Sequence, residues 1–282
     1  MSEYESIVVL SIYNGDDIKF VKESINSIES QDYQDFILCI VLDGPIGSEI
    51  TDYIENLSRC IVLRNAANKG LAYSLNLAID YVINNQLNIK YFFRMDADDV
   101  CVPNRFSKQV IFLDNNSHVD VLGCNCTEID EFSNVIGSRI MPELHKEIVN
   151  IMPRRCPLNH PTVLFRFNVF NKGFRYDSRL KNTQDYFFWP ELVKAGFTFH
   201  NLQEKLLCFR RVGDIYKRRG KEKALNDYNA RLNSMKLLNR SNLLNILYAK
   251  AFLLLRLAPP SVIKLAYNIQ SLRNKWLDKI YE

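Results

Sequence analysis

Three carboxylates fall within four residues in the stretch Asp96-Ala97-Asp98-Asp99. They follow the apolar run Tyr91–Phe93 and so stand at the end of a buried strand. Hard divalent cations take oxygen ligands, and Mg²⁺ or Mn²⁺ is often held by one or two carboxylates together with substrate phosphates. Such a cluster can hold a metal-bound diphosphate and offset the charge that grows on a nucleotide leaving group. The same residues also suit a solvated acidic turn or a helix N-cap, where Asp is favoured, and the bare D-x-D-D does not choose. An EF-hand is disfavoured, because the loop position that needs Gly is Cys101. His160 is one of four histidines, and a lone His is most often structural. The seven cysteines are scattered, and Cys124 and Cys126 sit in an apolar, strand-like run. They read as buried free thiols rather than a metal or disulfide site.

The elements that must position these groups alternate. Ile7–Ile12 reads as a buried strand ended by Asn14-Gly15, and Ile18, Val21, Ile25 and Ile28 then recur at helical spacing. Phe36–Leu42 is a second buried strand stopped at Asp43-Gly44-Pro45, Ile50–Leu57 a helix, and Cys60–Leu63 a short strand. Leu71, Leu75, Ile79 and Val82 mark a helix, Tyr91–Met95 a strand, and Pro103 opens a further helix through Phe106, Val110 and Leu113. This alternation over about the first 115 residues predicts a parallel sheet covered by helices. In such sheets ligands sit beyond the carboxyl ends of the strands, where the polar residues are Ser11, Tyr13, Asp43 and Asp96 to Asp99. Beyond them, Val119–Cys126, Asn134–Ile140 and Thr162–Phe167 suggest strands, Phe187–Ala195 a helix stopped by Gly196, and the chain from Lys221 reads as helical throughout.

Length and composition suit a folded chain: 282 residues, 47% hydrophobic, with 10 Gly and 9 Pro, which excludes global disorder and low complexity. The net charge of +4 hides a division. Residues 1–200 hold 19 Lys and Arg against 26 Asp and Glu, net −7, while residues 201–282 hold 17 against 6, net +11. A basic tail on an acidic body points to an anionic partner. The N-terminal stretch lacks a basic flank and its apolar run is short for a signal peptide, so a cytoplasmic protein is expected.

The stretch Arg94-Met95-Asp96-Ala97-Asp98-Asp99, followed by Pro103-x-Arg105 and Gln109, resembles the signature of family 2 glycosyltransferases with the GT-A fold. Ser11-Ile12-Tyr13-Asn14 resembles the family's first strand end, and Gln31 with Phe36 a following family stretch. Asn68-Lys69-Gly70-Leu71 with Asn76, then Asn159-His160-Pro161-Thr162, then Gln184-Asp185-Tyr186 match later motifs in the family's order, over about residues 5–212. Each is weak alone; their order makes the set specific. The resemblance implies an α/β fold: a nucleotide-diphospho-sugar transferase domain over 1–215, Rossmann-like, with a mixed sheet and helices on both faces. Residues 1–115 would form its nucleotide-sugar-binding half and 116–215 its acceptor-binding half.

By that resemblance Ser11 and Tyr13 contact the nucleoside, Asp43 bonds the base, and Lys69 lies in the loop over the donor, either pairing with a phosphate or remaining a solvated lysine. Asp98 is implied as the direct ligand of Mn²⁺ or Mg²⁺, Asp96 as a ligand placed for the ribose or donor sugar, Asp99 as their support, and Arg94 as a brace. Asp185 matches the catalytic base of an inverting displacement, in which a carboxylate takes the acceptor hydroxyl's proton. The apolar stretch beside it predicts desolvation and a raised pKa, and a helix N-cap is the structural alternative. His160 is placed near the acceptor or the donor diphosphate. Gln184 stands where the family usually has Glu, and Phe209-Arg210-Arg211-Val212 replaces a loop that usually carries His, leaving Arg210 or Arg211 for a phosphate contact.

The closest resemblance is to bacterial O-antigen and capsule enzymes acting on lipid-linked sugars. It implies a UDP-sugar donor, an undecaprenyl-diphosphate-linked sugar acceptor, transfer of a hexose and a β-linkage. The tail, 216–282, supplies an apolar but short run at 243–258 and a stripe of Val262, Leu265, Ile269, Leu272, Trp276 and Ile280 with Lys264, Arg273, Lys275 and Lys279 off it. Such a helix suits an anionic membrane interface at the inner face of the plasma membrane. Packing on the catalytic domain or a homodimer contact is the alternative, and nucleic acid is disfavoured because no nucleic-acid module is visible. The rival functions are a sugar-nucleotide pyrophosphorylase, which would need a Gly-rich N-terminal loop absent at Ser11–Asn14, and a non-catalytic membrane adaptor.

Overall fold

A computed structural model describes residues 4–213 and 221–258. The first half runs β1 (Ser6–Ile12), α1 (Ile18–Glu29), β2 (Phe36–Asp43), α2 (Ser48–Glu55), β3 (Cys60–Asn65), α3 (Leu71–Asn84), β4 (Tyr91–Asp96), β5 (Val100–Cys101) and α4 (Arg105–Asn115). The remainder runs β6 (Val121–Ile129), β7 (Val135–Arg139), α5 (His145–Ile151), β8 (Leu164–Arg166), α6 (Asn168–Asn171), α7 (Gln184–Lys194), β9 (Phe199–Arg210), α8 (Lys221–Leu237) and α9 (Leu243–Leu257).

One sheet takes the strand order β3-β2-β1-β4-β8-β6-β9-β5, with β7 paired to β6. The strands β3, β2, β1 and β4 are parallel, and β8 then runs antiparallel to both β4 and β6. This is the α/β architecture expected from the alternation. β1 is buried on both faces, which is why it reads as continuous apolar sequence: Ile7 and Val9 face one core layer, Val8, Leu10 and Ile12 the other. The register sets Ser11 opposite Asp96, so the ends of β1 and β4 open onto the same crevice.

Several expected bounds move. The strand read over Thr162–Phe167 shrinks to β8, because His160–Thr162 forms a 3₁₀ turn with Pro161 inside it. The helix read from Phe187 begins at Gln184, which brings Asp185 into its first turn, and Gly196 ends it with φ +91° as expected. The twelve-residue strand β9 was not anticipated. Its exposed Gln203-Glu204-Lys205 breaks the apolar alternation, and its pairing with β6 shifts register twice at that point. The seven cysteines are free, and Cys124 and Cys126 are buried on one face of β6.

The helical reading from Lys221 holds across the described residues as a hairpin, turned at Asn239, whose φ is +54°. α8 packs on α7, and Arg231 Nε donates to the Arg154 carbonyl at 2.9 Å, so this part of the tail is docked on the sheet domain. No helix among the described residues is long and apolar enough to cross a membrane. The stripe from Val262 to Ile280 lies outside the described residues, as do 214–220.

Candidate active site

Two hollows meet above the carboxyl ends of β1, β2 and β4. The first, about 320 Å³, is lined by Ser11, Tyr13 and Asp16 from the end of β1, Asp43 from β2, Asp96 and Asp98 from the end of β4, and Asn68, Gly70 and Leu71 ahead of α3. The second, about 520 Å³, holds Arg94, Asp96, Cys156, His160, Gln184, Asp185 and Lys223. Leu71, Asp96 and Lys181 line both. A hollow of about 580 Å³ around Glu5, Lys90 and Arg166 contains none of the expected site residues.

In the first chamber Tyr13 remains half exposed. Its ring lies across Gly15, where an added Cβ would come within 2.4 Å of a ring carbon, so the turn needs glycine at that position. Asp43 is buried and acts first as a clamp. One oxygen accepts from the Lys69 backbone N–H and from Asn65 Nδ2, each at 2.8 Å, and the other accepts from the Gly70 N–H at 2.8 Å. The clamp draws the Asn68–Gly70 loop onto the end of β2, and Gly44, at φ +98°, leaves room where a Cβ would lie 2.7 Å from the Asn68 nitrogen. Lys69 is exposed and does not line the chamber, whereas Lys181 does.

The acidic cluster is tight: Asp96, Asp98 and Asp99 each offer a carboxylate oxygen within 4.8 Å of the others. Asp96 pairs with the buried Arg94 through Nη2 at 2.5 Å, while Arg94 Nε and Nη1 find no partner. Asp99 is fully buried behind the other two; one oxygen accepts from the Arg210 N–H at 2.8 Å and the other has no partner. Burial first, then the charges of Asp96 and Asp98, hold its carboxyl well above the usual range. Asp16, in the turn between β1 and α1, is a fourth carboxylate on this wall. Burial, reinforced by Asp98 and Asp96, pushes it up to about 7, although the Tyr13 N–H it accepts at 2.9 Å works the other way. Crowded oxygen donors, an orphaned buried carboxylate oxygen and the mutual repulsion of neighbouring carboxylates fit a hard divalent cation.

In the second chamber Thr183, at φ +63°, precedes α7, and Asp185 is the helix's second residue. The N-cap position belongs to Thr183, which corrects the structural alternative for Asp185. Burial raises the Asp185 carboxyl above its ordinary value, as expected, while the Tyr186 N–H, the Cys156 thiol and the Arg94 charge oppose it. The thiol donates to Asp185 Oδ2 at 3.4 Å. His160 lies against this chamber but is buried, with Nε2 2.9 Å from the Tyr176 hydroxyl. Burial, helped by Arg94, holds it well below its ordinary pKa, so it is neutral. Gln184 is buried with Oε1 unpartnered.

Arg210 requires a correction. It is buried, with Nε on the Asp98 carbonyl, Nη1 on the Asp130 carbonyl and Ser133 Oγ, and Nη2 on Glu23 at 2.5 Å. The guanidinium braces the acidic turn from behind and is not presented to a phosphate. Arg211 pairs with Glu128 at 3.1 Å and lines neither chamber. Two signature residues are likewise internal ties: Arg105 donates to the Arg94 carbonyl, and Gln109 to the Thr162 carbonyl. Asp16, Cys156, Lys181 and Lys223 escaped the sequence reading. Only Lys181 carried a usable signal, as the lone charge in the polar run just before Asp185.

The family model described as glycosyl transferase family 2 matches residues 7–174. An uncharacterized glycosyltransferase of Haemophilus influenzae is 30% identical over 93% of this chain and 97% of its own length. An Escherichia coli protein named UDP-Gal:alpha-D-GlcNAc-diphosphoundecaprenol beta-1,3-galactosyltransferase is 26% identical over 76% of each chain. Among solved structures, S. aureus TarS 1-349 in complex with UDP-GlcNAc superposes with a TM-score of 0.60 at 18% identity, over 92% of this chain and 82% of that one, a likeness of fold. With its motifs, its sheet order and these relatives in agreement, the chain belongs to glycosyl transferase family 2 and is a glycosyltransferase of GT-A fold.

Proposed function

We propose that this enzyme moves a hexose from a UDP-sugar to a sugar on undecaprenyl diphosphate, with inversion, forming a β-linkage in O-antigen or capsule assembly. The observation that carries the reading is the junction of the chambers: acidic oxygens line one, Asp185 lines the other, and Asp96 and Lys181 stand on the shared wall. Ser11, Tyr13 and Asp43 would wall the nucleoside. Asp98 and Asp96 would hold Mn²⁺ or Mg²⁺, which supplies neutralising charge to a diphosphate leaving group. Lys181 adds a positive charge at the same wall, and Arg94 keeps Asp96 oriented. Asp185 takes the proton of the attacking acceptor hydroxyl, and its burial favours that step by raising its basicity. The E. coli relative's name, with its UDP-sugar donor and lipid diphosphate acceptor, supports both substrate classes. The tail, 216–282, would keep the enzyme on the inner face of the plasma membrane, where such an acceptor resides.

The test is a panel of UDP-sugars offered with Mn²⁺ and a lipid-diphosphate GlcNAc or GalNAc analogue. One donor is expected to give a β-linked product, and Asp185→Asn to slow transfer by about 10²–10⁴-fold. Undiminished transfer by Asp98→Ala or by Asp185→Ala would overturn the assignment of roles.

A further inference from the structure

The helix α9 presents two contrasting faces. Asn245 and Ala249 are buried and Phe252 lies under Arg231 of α8, while Leu243, Leu244, Leu247, Leu254 and Leu257 are 45–71% exposed on the other side. Those leucines recur at helical spacing over about 21 Å of helix. Lys250 is the one charged residue among them, since Arg256, the other charge on α9, turns inward to Asp227 at 2.8 Å. Soluble surfaces rarely carry so continuous an apolar strip without a partner.

Charge selects among the possible partners. Residues 221–258 hold seven Lys and Arg against two acids, net +5. A second copy would set two such hairpins face to face, and residues 259–282 carry four basic residues against two acids, again like-charged. An anionic lipid surface is complementary to both features, because leucines enter the acyl boundary while Lys250, among them, extends its amine on its long stem to the headgroups.

The hairpin is also fixed to the second chamber. Lys223 at the start of α8 lines it, and Asn226 Nδ2 donates to Asn182 Oδ1 at 3.1 Å, three residues before Asp185. Arg154 Nε donates to Asn245 at 2.8 Å, and the Arg256–Asp227 pair returns the end of α9 to the start of α8. We infer that the leucine face of α9 is the surface by which the protein seats on an anionic bilayer, with the α8–α9 hairpin holding the Asp185 chamber at that surface. The purpose of this seating rests on the lipid-linked acceptor proposed above, but the seating itself does not depend on which sugar is transferred.

The test uses the full chain and phosphatidylcholine vesicles containing about a third phosphatidylglycerol, with pure phosphatidylcholine as the comparison. The parent is expected to co-sediment with the anionic vesicles and to be released as salt rises. The paired substitution Leu247→Glu with Leu254→Glu is expected to weaken co-sedimentation by about tenfold or more. Phe132→Glu, at an exposed aromatic far from α9 in sequence, is expected to leave it unchanged. Because these side chains face outward, the variant's thermal unfolding should match the parent's; if it does not, Leu247→Gln with Leu254→Gln replaces it and the same loss is expected. Vesicle binding unaltered in a folded variant would overturn the inference, as would a parent dimer that the variant converts to monomer without loss of vesicle binding. Neither outcome bears on the donor panel, so the two readings fail separately.

Discussion

The protonation of Asp185 is set by opposing neighbours. Burial makes it a stronger base, while the Tyr186 N–H, the Cys156 thiol and the Arg94 guanidinium stabilise its anion. His160, which lines this chamber, and its hydrogen-bond partner Tyr176 are held neutral by burial. In its proposed role as base, Asp185 must be ionised to accept a proton, so kcat/KM for transfer should fall as pH drops through the raised pKa. Cys156→Ala removes one donor to the anion and should move that acidic limb to higher pH, and Cys156→Ser, which restores a donor, should move it back. The pH profiles of the three proteins check this. Coincident limbs would mean that the thiol does not act on the base. The sequence alone marked Asp185 as a carboxylate beside an apolar run, but nothing local connected it to Cys156, 29 residues earlier.

Among the elements, β9 is decisive for the acidic turn. Its last residue, Arg210, joins Glu23 of α1, the Asp98 carbonyl and the β6–β7 turn, and its own N–H reaches Asp99. Removing such a buried side chain leaves a void beneath the turn and unfastens it, and Glu23, still partly open to solvent, loses its partner. Arg210→Ala is expected to cost about 3–5 kcal/mol in urea denaturation, with Arg210→Lys recovering little because an ammonium cannot reproduce the forked contacts. A loss within about 0.5 kcal/mol would show the brace to be dispensable. This strand was also the element least legible in advance. Its exposed Gln203-Glu204-Lys205 lies where the pairing with β6 shifts register, and a single strand's periodicity does not report a register shift in its partner.

The whole molecule is a sheet with acidic oxygens gathered at the carboxyl ends of its parallel strands and a basic hairpin docked beside it. Gathering like charges destabilises the unliganded fold, and a cation that relieves them must stabilise it by linkage. At a hundred times its Kd, Mn²⁺ should add about 2.7 kcal/mol to unfolding stability, seen as a raised Tm that EDTA reverses. Asp98→Asn should abolish that shift, and its survival there would place the ion elsewhere. The sequence by itself determined the parallel half of the sheet, because strands buried on both faces must read as apolar runs and helices between them must show a 3.6-residue period. It also determined the acidic cluster, whose members are neighbours in the chain. The ordered motifs carried the family. Tertiary structure alone decided that Asp185 shares a cleft wall with Asp96, 89 residues away, that Lys181 rather than Lys69 reaches the chamber, and that Arg210 faces inward. Local periodicity specifies which side of its own element a residue takes, whereas which elements meet, and in what register, is settled only when the entire core packs.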